Sequence, residues 1–125
     1  MGMVERARSS QRTGRCARRS AASSRYCAAL WRTSGNVAER EGRIVAYATL
    51  IGFSGHAVGE SNADVQALIA NADAFLGPGI LVPTRNAGLF RWCLDNGLRV
   101  VQPMTLMTMG LYNEPAGAYL PSILY

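Results

Sequence analysis

The groups able to do chemistry in this chain are few. His56 is the single histidine, and Cys16, Cys27 and Cys93 are the only cysteines. One histidine in a glycine-rich loop is ordinarily structural, and no Ser-His-Asp relay can be assembled around it. His56, Glu60 and Asp64 are the only local set with metal-ligand chemistry. No second cluster joins them, so no metal site is expected. The Cys16–Cys27 spacing fits neither a zinc nor a redox pattern, and reduced thiols suit a cytoplasmic protein. Neither a Walker loop nor G-x-G-x-x-G occurs. The informative unit is Pro83-Thr-Arg-Asn86, followed by Gly97-Leu98. Asparagine caps helix starts, and glycine supplies the left-handed residue that closes them.

Those residues need elements to hold them. Arg43 to Ile51 is apolar at nearly every position, the pattern of a central strand buried between layers, and Glu41-Gly42 before it suits a hairpin turn. Phe53 to Glu60 reads as a loop with two glycines. Ser61 with Asp64 marks a helix start. Val65, Leu68, Ile69 and Ala72 then form one apolar stripe, stopped at Gly77-Pro78-Gly79. Ile80 to Val82 is a short strand. Asn86 caps a helix through about Asn96, with Leu89, Phe90, Cys93 and Leu94 inward. Leu98–Gln102 and Met104–Met109 are two more strands broken at Pro103. The tail from Leu111 to Tyr125 is apolar enough to be packed on the domain. Alternation of this kind predicts an α/β sheet flanked by helices.

Charge divides the chain. Up to residue 40, nine arginines face Glu5 and Glu39; beyond it, four arginines face six acids. The pI near 9.6 therefore belongs to an N-terminal arm, residues 1–36. That arm is too poor in large apolar residues to offset its ordering entropy and is expected to be disordered. A basic arm that is not a folded face makes nucleic acid an unexpected partner. Its Arg- and Ser-rich composition is also that of a transit peptide, though arginine interrupts any apolar stripe. The abrupt junction with well-patterned sequence equally suits a mis-called start or a frameshift. No stretch approaches the ~20 apolar residues of a membrane span.

Residues 37–125 resemble the GNAT superfamily of N-acetyltransferases. Its fourth helix has the form N-x-x-A-x-x-L-Y-x-x-x-G-F. Here the Asn falls on Asn86, the Ala on Leu89, the Leu on Trp92, the Tyr on Cys93, and the Gly-Phe on Gly97-Leu98. The stretch Glu41-Gly-Arg-Ile-Val-Ala-Tyr-Ala48 looks like the family's fourth strand, D-G-x-I-V-G-Y-A. Over its length the segment resembles the second, degenerate repeat of tandem GNAT proteins. The resemblance implies a partial GNAT-like mixed β-sheet and transfer of acetyl from acetyl-CoA to an amine. It also implies Cys93 in the place of a tyrosine that protonates the leaving thiolate, and Asn86 near the cofactor. Two features depart from the pattern. The family's phosphate loop, R/Q-x-x-G-x-G/A, corresponds to Phe53–Asn62, which has no Arg, Lys or Gln and carries Glu60. Cys93 sits beside Leu89 on an apolar helix face, which suits packing. The chain alone is therefore expected to have little or no acetyltransferase activity. The partners expected are a second copy or a missing N-terminal repeat, and the alternative function is a packing module that completes a partner's sheet.

Overall fold

The computed structural model describes residues 1–6, 27–30 and 36–124. They form eight strands and two helices: β1 (Gly2–Arg6), β2 (Cys27–Leu30), β3 (Asn36–Arg40), β4 (Arg43–Ala48), β5 (Ala57–Gly59), α1 (Asn62–Asn71), β6 (Ile80–Val82), α2 (Ala87–Asp95), β7 (Leu98–Pro103) and β8 (Ala118–Leu120). The architecture is mixed α/β, with two sheets in the orders β6-β1-β7 and β2-β3-β4-β5-β8. Every named pairing is antiparallel. This replaces the expected single mixed sheet; one isolated bridge, Gly52 with Leu76, is parallel.

Local chemistry explains most elements. Glu41 and Gly42 both take positive φ, 54° and 74°, the geometry of the two-residue hairpin that matches strand twist. It pairs Arg40 with Arg43. Gly97 at φ 83° closes α2, as its place in the sequence predicts. Val65, Leu68 and Ile69 face inward from α1, and Leu89 and Cys93 from α2. With Val4, Ile80, Val82, Leu98 and Leu120 they make one core.

Several expectations change. The arm contributes two strands: β1 lies in the middle of its sheet, with Met3 and Val4 buried, and β2 pairs with β3. The rest of the disorder reading falls on residues 7–26 and 31–35, outside the described residues. The loop expected at Phe53–Glu60 contains β5, which pairs with β4. The strand at 43–51 is central in its sheet but not sandwiched, because α1 covers only one face. Ile44 and Tyr47 stay 59% and 46% exposed. Residues 104–109 form no strand. β7 pairs with β1 as far as Gly2 opposite Pro103, and the last rung joins Met104 N–H to Met1 O at 2.8 Å. Leu94 lies off the Leu89–Cys93 stripe and is exposed. No helix among the described residues is long and apolar enough to cross a membrane.

Candidate functional site

The chemistry-bearing residues gather where β6 ends and α2 begins. The Pro83 carbonyl accepts the Asn86 N–H at 3.0 Å, a tight turn that delivers Asn86 as the N-cap. Its Oδ1 accepts the Leu89 N–H at 3.2 Å. The remaining capacity of that amide goes to Asn62, the first residue of α1. Asn62 Nδ2 donates to Asn86 Oδ1 at 3.0 Å, and Asn86 Nδ2 donates to Asn62 Oδ1 at 2.7 Å. This reciprocal pair ties two helix N-termini together.

Beside it lie two adjoining clefts of about 340 and 360 Å³. They share Pro83, Arg85, Glu114 and Tyr119; Tyr112 lines the first and Asn86 the second. Arg85 and Glu114 form an ion pair. Tyr119 Oη donates to Glu114 Oε1 at 2.8 Å. Burial, then a hydrogen bond with Tyr112, pushes the Tyr119 hydroxyl above its ordinary pKa, while Arg85 pulls the other way. The phenol thus stays neutral at physiological pH. The group offers donors and acceptors, but no nucleophile paired with a base. It fastens the tail to the α2 turn.

The stretch Phe53–Asn62, on which the resemblance would put a phosphate loop, leads into the start of α1. A helix N-terminus attracts anions through its free N–H groups and dipole. Here the chain supplies its own anion. Asp64 is completely buried, and its Oδ2 accepts the Ser61 N–H at 2.9 Å and the Ser61 Oγ–H at 2.6 Å. The same carboxylate pairs with Arg40. Just before the helix, Arg43 holds Glu60 by two parallel bonds of 2.7 and 2.8 Å. Each of the two arginines here faces a carboxylate, and a second one crowds the entrance. These residues do not fit a pyrophosphate.

The remaining candidates are dispersed. Cys93 is fully buried in the core, where burial pushes its thiol up to about 11, and it lines neither cleft. His56 lies at the β4–β5 connection, its Nδ1 3.3 Å from Thr49 Oγ1 and its ring edge-on to Tyr47 at 5.7 Å. No group of three metal-ligating side chains occurs among the described residues. Of the sequence candidates, Asn86 reaches one of these two clefts, and Glu60 lines a separate one of about 490 Å³ along β4 and β5. Sequence reasoning missed Arg85, Glu114, Tyr112 and Tyr119. The ion pair spans a separation that no local pattern encodes, and the only available signal was a charged residue between a strand-ending proline and a helix cap. No family model, curated protein or solved structure matches the chain.

Proposed function

We propose that this chain is a degenerate GNAT-like module that does not hold acetyl-CoA by itself. The observation that carries the reading is Asp64, a buried carboxylate occupying the helix start where the resemblance calls for phosphate. Two features support it. Acetyl transfer requires a deprotonated amine, a polarised carbonyl and a proton for the leaving thiolate. The group in the thiolate-facing position, Cys93, is enclosed in the core. The apolar tail is also drawn in: β8 pairs with β5 and Ser122 Oγ donates to Ser54 O at 3.0 Å, so the C-terminal segment covers the sheet edge next to the helix start. Isothermal titration of the full chain with acetyl-CoA is expected to show no binding in the micromolar range. Saturable micromolar binding would overturn the reading.

A specific observation favours association as the module's remaining role. β7 is an edge strand, exposed at every residue after Leu98. The chain that follows leaves Leu106, Met107, Met109 and Leu111 in solvent, Met109 completely so. Contiguous bare apolar surface marks interaction sites, and an uncovered edge strand is a template for pairing. Size-exclusion chromatography is expected to give an apparent mass that rises with concentration; a monomer at every concentration would argue against this role.

A further inference from the structure

The clefts at the α2 turn hold two opposite charges side by side. Arg85 and Glu114 are the only charged side chains among the residues lining either cleft, and both clefts share them. Arginine carries five N–H donors in a planar fork. The Arg85 side chain is 63% exposed, so its pairing with Glu114 leaves donors for a second acceptor. Glu114 is 26% exposed and held by the Tyr119 hydroxyl, which fixes its position without neutralising it. The first cleft also has an apolar lining, Pro83, Leu106 and Pro121, together with the Tyr112 ring. Met1 lines it as well, with its amino group donating to the Met104 carbonyl at 2.9 Å.

We propose that the first cleft binds a small zwitterion, a free α-amino acid with an apolar side chain, its carboxylate on Arg85 and its ammonium on Glu114. This goes beyond the proposed function, which concerns the start of α1 and the exposed tail. Three observations select that chemistry. The volume of about 340 Å³ lies at the small end of ligand pockets, which suits an amino acid better than a nucleotide. The two charges lie together, so a ligand with one charge meets one attractive partner and one repulsive one. A ligand with no charge would strip water from both ions and return nothing for it. A zwitterion, whose opposite charges are also adjacent, satisfies both. A partly exposed ion pair is weakly held, so a ligand leaning on both ions has little to break. The third observation is the lining: Leu106, Pro121 and Tyr112 offer an apolar side chain a surface to cover.

The test is a calorimetric titration of the full chain with L-leucine and L-phenylalanine. Each is expected to bind saturably, with a Kd of about 1 mM or tighter. Two relatives of phenylalanine each lack one charge: N-acetyl-L-phenylalanine has no ammonium, and 2-phenylethylamine has no carboxylate. Both should bind about ten-fold more weakly than phenylalanine, or weaker still, because bonds to charged groups carry that much. Glu114→Gln keeps the shape of the side chain and an acceptor for the Tyr119 hydroxyl. In that variant phenylalanine should bind no better than N-acetyl-L-phenylalanine does, while the affinity of the acetylated compound does not fall. A general loss of structure would weaken both alike, and the comparison of ligands on the unaltered chain decides the matter by itself. Absence of binding by both amino acids at about 10 mM would overturn the proposal. So would equal affinity for phenylalanine and its two relatives, which would make the cleft merely apolar. Undiminished preference for phenylalanine in Glu114→Gln would overturn it too.

Discussion

The two helices begin in opposite ways. α1 starts with an anion of the chain's own making: Asp64 folds back onto Ser61 and is neutralised by Arg40, with the Arg43–Glu60 pair alongside. α2 starts with a neutral amide, Asn86, and has no acidic residue in its first turn. The positive end of a helix dipole is worth the same at both places, yet α1 has spent its attraction internally and α2 has not. The difference teaches where similarity of layout stops being similarity of function. One helix start can already carry its own carboxylate while another in the same chain presents only a neutral amide.

The largest effect should come from removing the internal anion. Asp64→Ala removes the Arg40–Asp64 ion pair and the acceptor of the Ser61 N–H. Breaking one side of a buried pair costs about 3–5 kcal/mol, and the partly exposed Arg40 puts this case near the lower figure. Urea denaturation is expected to show a loss of about 3 kcal/mol with unchanged slope. A loss under 1 kcal/mol would mean that the α1 start is not held by its own carboxylate.

Next comes the far end of α2, where Cys93 is sealed in the core. Its folded pKa, about 11 against an ordinary 9.0, is raised, so the folded chain keeps its proton where the unfolded chain releases it. The associated stability is therefore complete below pH 9 and lost as pH rises toward 11. Two pH units at 1.36 kcal/mol each amount to about 2–3 kcal/mol. Thermal melts of the wild type should fall steeply across that window, and those of Cys93→Ala, less stable at neutral pH, should fall less. Parallel pH curves would place the thiol in contact with solvent.

How far these features could be read beforehand follows from where their signals lie. The Glu41-Gly42 turn, the Val65–Leu68–Ile69 stripe, the Asn86 cap and Gly97 all depend on residues within a few positions of one another, and each stands where the sequence puts it. β1 was invisible because Gly2–Arg6 is apolar at only two adjacent positions, and its strand character comes from β6 and β7, nearly eighty and a hundred residues away. Residues 104–109 mislead in the reverse direction: they have strand-like composition but pair with no strand among the described residues. The cleft failed for the same reason as β1. Arg85 announces itself only weakly at a strand end, and Glu114 and Tyr119 lie in a tail whose path depends on β8 finding β5. Asp64 was legible as a capping residue, but not as a buried one, since Arg40 comes from a different hairpin.

A smaller effect is expected at the other helix start. Asn86→Ala removes the bond to Leu89 N–H, worth about 1 kcal/mol at a typical cap. It also strands the Asn62 amide, which is only half-buried and can turn to water. The total should be about 1–2 kcal/mol, with Asn86→Asp recovering most of it because a carboxylate also caps. Failure of aspartate to rescue would show that the Asn62 pairing, not the cap, is what matters.

The smallest effect distinguishes charge that stabilises from charge that only repels a ligand. The Arg43–Glu60 pair is bidentate but solvent-exposed on both sides, and exposed pairs contribute about 0–1 kcal/mol. Glu60→Gln should therefore leave the denaturation midpoint almost unmoved while removing one negative charge from the α1 entrance and releasing Arg43. If the entrance charge were the sole obstacle to phosphate, this variant would gain affinity for inorganic pyrophosphate by titration. The geometry predicts no gain, because the Asp64 carboxylate still lies at the helix start, bonded to the Ser61 N–H and hydroxyl. Pyrophosphate binding by Glu60→Gln would transfer the inhibitory role from the buried carboxylate to the exposed one, and with it the reason that α1 and α2 differ.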